Sequence, residues 1–178
     1  MRKIIVICGL PGSGKSTLAE GIAQKLALPL FSVDPIESAI LQSGIQRSFE
    51  TGLAAYLVAE ALAAEHLRLD LSVLIDAVSG VKEAWEMWLH LANQTQAQLI
   101  IIECTLASGL HKSRIESRVR NIAGIPEVTW ADVQNRRTGY AAWDGAKLVL
   151  DTAHPIEANL EKALAYIAAA AMPGSISG

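Results

Sequence analysis

Gly9-Leu10-Pro11-Gly12-Ser13-Gly14-Lys15-Ser16-Thr17 fits the pattern G-x-x-x-x-G-K-[ST] without a gap, directly after the apolar run Ile4-Ile5-Val6-Ile7-Cys8. Strand, glycine-rich turn and helix in that order make a phosphate-binding loop, or P-loop. Its glycines let successive backbone N–H groups curl around phosphate oxygens, Lys15 reaches the β- and γ-phosphates, and the Ser16 hydroxyl takes a place on Mg²⁺. Gly9, Pro11, Gly12, Ser13, Gly14, Lys15, Ser16 and Thr17 are therefore the predicted nucleotide-binding residues. The helix that follows, expected from about Lys15 to Ala27, carries Leu18, Ile22 and Leu26 on one face and turns the positive end of its dipole toward the nucleotide.

Outward from the loop, strand-like runs recur at Lys3–Cys8, Leu28–Val33, Ser72–Ile75, Leu99–Cys104 and Lys147–Leu150, each separated from the next by helical periodicity. That alternation predicts an α/β fold, a parallel sheet of five strands covered by helices on both faces. The helix over about Thr51–Leu69 is expected to bury Leu53, Tyr56, Leu57, Ala61, Ala64 and Leu67. The next is expected to bury Trp85, Trp88, Leu89 and Ala92. The last opens at Pro155 and repeats Ile156, Leu160, Leu164, Ile167 and Ala171 at helical spacing. Two segments, Pro35–Gly52 and Ala123–Gly145, lack a sustained period and are expected to be binding or closing loops.

The bulk numbers narrow the class. A chain of 178 residues fits one domain, expected over 1–172, with an irregular tail at 173–178. Cys8 and Cys104 end apolar runs and read as buried small hydrophobes in a reducing compartment, and the four histidines match no metal-ligand spacing. At 51% apolar residues the chain still has no run long enough to cross a bilayer, and Met1-Arg2-Lys3 leads straight into the first strand. A cytoplasmic protein without a membrane partner is expected. The net charge of −3 gives no general attraction to nucleic acid. Lys112–Arg137 is different: six cations (Lys112, Arg114, Arg118, Arg120, Arg136, Arg137) face three acids (Glu116, Glu127, Asp132), so an anion is expected there.

Candidate catalytic residues follow from position at strand ends. Asp34 comes just after the second run, on the sheet edge that carries the loop if all strands are parallel. A carboxylate of ordinary pKa, about 3.9, is ionised there and can orient an acceptor hydroxyl for in-line attack on phosphorus. A cap on a helix with Pro35 in its first position is the alternative. Asp76 ends the third run and would hold Mg²⁺ through water, with Ser16. Asp151 has the same local look, with a turn as its alternative. Arg114 and Arg118, four apart on a helix, are the candidate phosphoryl clamps. Arg136 and Arg137 could meet nucleotide or acceptor, Arg47 an anionic group on the acceptor, and Trp130 and Trp143 a base or the core.

Taken together, G-L-P-G-S-G-K-S-T, S-V-D, V-L-I-D-A-V, I-I-I-E-C-T before an Arg-rich helix and L-V-L-D-T resemble the small P-loop kinases of the AAA-33 type. Polynucleotide 5′-kinase, chloramphenicol phosphotransferase and the zeta-toxin kinases are similar in kind. The likeness spans roughly Lys3 to Ile167. It implies a three-layer P-loop NTPase fold of the nucleotide-kinase type, ATP and Mg²⁺ as cofactors, Asp34 as acceptor-activating aspartate, and Arg114–Arg120 as the cationic arm beside a lid. Polynucleotide kinases carry further charges, including an arginine, just after that aspartate. Here the chain reads Pro35-Ile36-Glu37-Ser38, which disfavours a nucleic-acid end. The expected activity is ATP-dependent transfer of the γ-phosphate to a hydroxyl of a small molecule, catalysed by Lys15, Asp34, Arg114 and Arg118. An ATP-hydrolysing switch, or a kinase for nucleoside monophosphates or polynucleotide 5′-hydroxyls, is the alternative. Acceptor identity and oligomeric state leave no pattern in these residues.

Overall fold

Five short apolar segments lie side by side, all parallel, in the order β2-β3-β1-β4-β5. The computed structural model describes residues 1–119 and 122–170. Its elements are β1 (Lys3–Cys8), α1 (Lys15–Leu26), β2 (Leu30–Ser32), α2 (Val33–Gln42), α3 (Phe49–Arg68), β3 (Val73–Asp76), α4 (Lys82–Thr95), β4 (Gln98–Thr105), α5 (Ser108–Ser117), α6 (Trp130–Thr138), β5 (Leu148–Asp151) and α7 (Ile156–Ala169). Arg120, Ala171 and the expected tail at 173–178 lie outside the described residues. Among the described residues no helix is long and apolar enough to cross a membrane.

Because side chains alternate across a strand, β1 sends Ile4, Val6 and Cys8 to one face and Ile5 and Ile7 to the other. The first set packs with Val73, Ile75 and Ile101 under α3 and α4, the second with Leu74, Ile100 and Ile102 under α1 and α7. Each β1 isoleucine is fully buried, worth roughly 1.5–3 kcal/mol relative to exposure. The parallel sheet flanked by helices expected from the alternating runs, and the three layers that the resemblance implies, are thus in place, with β1 and its loop at the centre.

Several local expectations shift. β2 is confined to Leu30–Ser32, since the Leu28 N–H donates to the Ala23 carbonyl (3.1 Å) in the closing turn of α1 and Val33 already begins a helix. Both segments expected to be loops contain helix. α2 and the start of α3 occupy the two ends of the first, with Ile36 and Ile40 against the core, and α6 lies within the second, started by a capping box between Thr129 and Asp132. α2 and α6 are each too short to show a period. On α3 the buried stripe is Thr51, Ala55, Ala59, Ala63 and Leu67, while Leu53 (45%), Leu57 (50%) and Ala61 are exposed. Leu89 of α4, Leu26 of α1 and Ile156 of α7 also face outward. Pro155 is the N-cap of α7, one residue before its expected place.

Candidate active site

β1 ends at Cys8, and the chain turns through Gly9–Gly14 into α1. Gly9 (φ 139°) and Gly12 (φ 83°) adopt backbone that side chains rarely allow, and both are hemmed in. A Cβ on Gly9 would collide with the Cys104 carbonyl of β4, and one on Gly12 with Ile115 of α5. The Ser13 N–H donates to the Leu10 carbonyl at 3.1 Å, closing the turn. Gly14 is the N-cap of α1 and supplies no capping side chain, so the first N–H groups of the helix are available to an anion. Lys15 is buried at 5% exposure, and Ser13 Oγ is buried with no hydrogen-bond partner among the described residues.

Strand register sets the carboxylates. Asp76 pairs with Ile7 of β1 on one side and with Ser32 of β2 on the other, so it stands between the loop and Asp34 at the same sheet edge. The loop and Asp34 are then two strand spacings apart, roughly 10 Å, enough for a phosphoryl group and an acceptor oxygen. Asp76 is 6% exposed, with Oδ1 unpartnered among the described residues. Asp34 is the second residue of α2 and half-buried. Ser32 holds the N-cap position, so Asp34 lies inside the first turn, where the helix dipole favours its charge. Tyr56 receives the Ser79 N–H at 3.0 Å. Burial pushes its hydroxyl pKa up, that hydrogen bond opposes the rise, and Asp34 and Arg136 act on it with opposite signs. Asp34, Tyr56 and Arg136 therefore share one neighbourhood. One turn beyond Asp34, Glu37 accepts from Thr51 Oγ1 (3.2 Å) and pairs with Arg47 (3.6 Å).

Arg114 and Arg118 lie across the loop from these groups. Arg114 donates to Thr152 Oγ1 (3.3 Å) and to the Thr152 carbonyl (3.2 Å), and Thr152 Oγ1 donates to the Ser13 carbonyl (2.7 Å). Arg118 caps α5 in extended backbone, off the helical face it was expected to share, yet it lines the same cavity of about 550 Å³ with Gly12, Gly14, Thr17, His154 and Pro155. The structure thus brings Arg114 and Arg118 to the loop. Ser16 and Thr17 lie in the first turn of α1, and Thr17 lines that cavity. Arg137 donates to Ser108 Oγ (2.6 Å), lies over the Trp130 ring (5.4 Å), and lines a second cavity of about 240 Å³ with Gly9, Leu10 and Ser13. Trp143 packs on Trp85, and Asp151 accepts the Ala153 N–H (2.9 Å) in a turn.

Reading the sequence missed His111, Thr152 and Tyr56. Thr152 had a usable signal, its place just past a strand's carboxyl end, where α/β sheets carry their ligands. His111 had none: a histidine among basic residues on a short helix looks like a solvated face. It is instead buried, 1% exposed, with Nε2 at 2.7 Å from the Pro11 carbonyl.

Strand order and loop define a P-loop protein of the nucleotide-kinase type. The AAA-33 family, an AAA domain, matches residues 4–140, and the chain belongs to it. It is 27% identical over 135 residues to a cytidylate kinase of Deinococcus radiodurans, covering 75% of this chain and 55% of that one. It is also 27% identical over 172 residues to an uncharacterized protein of Mycobacterium tuberculosis, covering 90% of this chain and 34% of that one. The chain thus spans between a third and about half of these relatives. Among solved structures, a proposed kinase of Chloroflexus aurantiacus superposes with a TM-score of 0.77 at 22% identity, covering 93% of this chain and 98% of the other. A gluconokinase of Sinorhizobium meliloti gives 0.69 at 18%, covering 95% and 94%. The APS kinase of Mycobacterium tuberculosis, in complex with AMPPNP and APS, gives 0.70 at 16%, covering 94% and 98%. These likenesses establish the fold as that of P-loop kinases.

Proposed function

We propose that this chain is an ATP-dependent kinase that transfers the γ-phosphoryl group to a hydroxyl of a small acceptor. The observation that carries the reading is the row formed by P-loop, Asp76 and Asp34 on adjacent strand ends. Lys15 and the loop amides hold the triphosphate. The flat cationic groups of Arg114 and Arg118, opposite His154 and Pro155, form the walls of the nucleoside cavity. Asp34 orients the acceptor hydroxyl and takes its proton, and Arg136, on the Asp34 side, meets the charge that develops on the phosphoryl oxygens. Magnesium fits this set. The orphaned Asp76 Oδ1 and the Ser16 hydroxyl are hard oxygen donors of the kind that ion shares with water and phosphate, and the described residues hold no richer cluster of His, Cys, Asp and Glu that would select a softer metal. Bound there, the ion would neutralise phosphate charge.

The test is acceptor-stimulated ADP release across sugars and sugar acids, nucleosides, nucleoside monophosphates, hydroxylated antibiotics and 5′-hydroxyl oligonucleotides. The similarity to a cytidylate kinase justifies the monophosphate arm. Stimulation by one class, with Asp34→Asn lowering turnover about 10²–10⁴-fold and leaving AMP-PNP affinity nearly unchanged, is the expected result. Full turnover by Asp34→Asn would remove Asp34 from the chemistry, and slow hydrolysis that no acceptor accelerates would favour a switch.

A further inference from the structure

His111 sits where three parts of the molecule meet. Its Nε2 is 2.7 Å from the Pro11 carbonyl in the P-loop, its Nδ1 is 3.4 Å from Arg137 Nη2 on α6, and its ring stands edge-on to Trp130 at 5.4 Å. A carbonyl only accepts, so Nε2 carries the hydrogen. A guanidinium only donates, so Nδ1 must be bare. Both contacts are satisfied by a single form of the ring, the neutral Nε2–H tautomer. An imidazolium would turn an Nδ1–H toward a cation.

Arg137 is the group this arrangement controls. It is gripped by Ser108 Oγ, His111 Nδ1 and the Trp130 face, and it lines the cavity beside Gly9, Leu10 and Ser13, whose buried hydroxyl awaits a partner. We propose that His111 is a positioning residue: as the neutral Nε2–H form it shapes the P-loop through Pro11 and aims the Arg137 guanidinium at the β/γ end of a bound triphosphate, and its protonation releases that guanidinium. The proposal rests on the kinase reading and names a control point within it.

The surroundings keep the ring neutral. Burial lowers the His111 pKa first; the Pro11 hydrogen bond opposes this, and Arg137 of α6, Arg114 of α5 and Arg118 at its end lower it further. Glu103 of β4 and Tyr140 line the same cavity, but Glu103 is already paired to Lys147 at 2.7 Å. The phosphate loop presents only its carbonyl to the ring. Protonation therefore needs acid below the ordinary histidine range near 6.5.

The test titrates the full chain with magnesium AMP-PNP and, separately, with AMP, at pH 8 and pH 5.5, for wild type, His111→Phe, His111→Asn, Arg137→Gln and the His111→Phe/Arg137→Gln double. At pH 8, His111→Phe and Arg137→Gln each weaken AMP-PNP binding roughly tenfold or more, and the double weakens it no further. AMP affinity is unchanged in all. His111→Asn, whose Oδ1 replaces Nδ1 as acceptor and cannot protonate, keeps most of the affinity, and wild type falls relative to it at pH 5.5. Nitrogen-15 NMR of the nucleotide-free protein shows the Nε2–H tautomer at pH 8. Wild-type affinity in both single variants, equal loss of AMP and AMP-PNP, additive losses, or an Nδ1–H tautomer would each overturn the role. A wild type that binds no AMP-PNP overturns the kinase reading instead, and is told apart because the tautomer is read without nucleotide.

Discussion

Cys8 ends β1 and Cys104 is the next-to-last residue of β4 beside the loop, and neither thiol is disposed to react. Burial, helped at Cys8 by Glu103, pushes both up to about 12, and Lys15 lowers Cys104 without offsetting the burial. The thiolate is the nucleophile, so both groups are inert near neutral pH. A disulfide reagent at pH 8 should label neither cysteine in the native chain and both in denaturant. Labelling of the native protein at the rate of a free thiol would show that this end of the sheet is wet. The linkage sign follows from the same shift. An unfolded thiol near 8.5 loses its proton well before the folded one, so between about pH 8.5 and pH 10 the native state binds more protons and stability falls as pH rises. Midpoints of urea unfolding across that window check the slope, and Cys8→Ala/Cys104→Ala should flatten it.

α3 shows what an element adds beyond its residues. Its core face is the row Ala55, Ala59, Ala63 and Leu67 between α2 and α4, where a helix close to its neighbours leaves room only for methyl groups, while Leu53 and Leu57 point outward. Ala59→Leu is expected to overpack this seam and cost about 1–3 kcal/mol in urea unfolding, whereas Leu57→Ser stays within about 0.5 kcal/mol. The reverse ranking would restore the leucine-centred stripe that hydrophobicity alone suggests. This is also where legibility ended. Long, strongly patterned pieces such as β1, the P-loop and α1 could be read from the residues because local chemistry decides them. α2 and α6, each shorter than three turns, are decided by Ile36, Ile40 and Val133 finding a core, which no local window contains. The placement of Asp34 and Asp76 at the sheet edge that carries the loop was legible because a parallel sheet places strand ends together. His111 and Thr152 were not singled out, because their partners Pro11 and Ser13 lie 100 and 139 residues away.

At the scale of the molecule, β1 divides the sheet into two working sides. The P-loop, α1, α5, the Thr152–Pro155 turn and α7 line the cavity proposed for the nucleoside, and β3 and α2 carry Asp76 and Asp34. The P-loop is stitched to the first side through Thr152 to Ser13 and His111 to Pro11, and to the second through the Gly9 N–H to the Val78 carbonyl at 3.4 Å. A nucleotide held by the loop therefore ties together elements from most of the chain, and its binding should raise the stability of the whole rather than order one segment. At a hundred times its dissociation constant, AMP-PNP is worth about 2.7 kcal/mol, and for a chain of this size each kcal/mol moves the melting midpoint by about 2–4 °C. A rise of roughly 5–10 °C in one cooperative transition is expected. Lys15→Ala should lose most of it, because the buried ammonium has no substitute at the phosphates, and Asp34→Asn should keep it, because that carboxylate lies beyond Asp76 on the acceptor side. A nucleotide-induced rise confined to part of a split transition would mean that the two sides of β1 melt independently, and a rise lost equally in both variants would place Asp34 on the nucleotide.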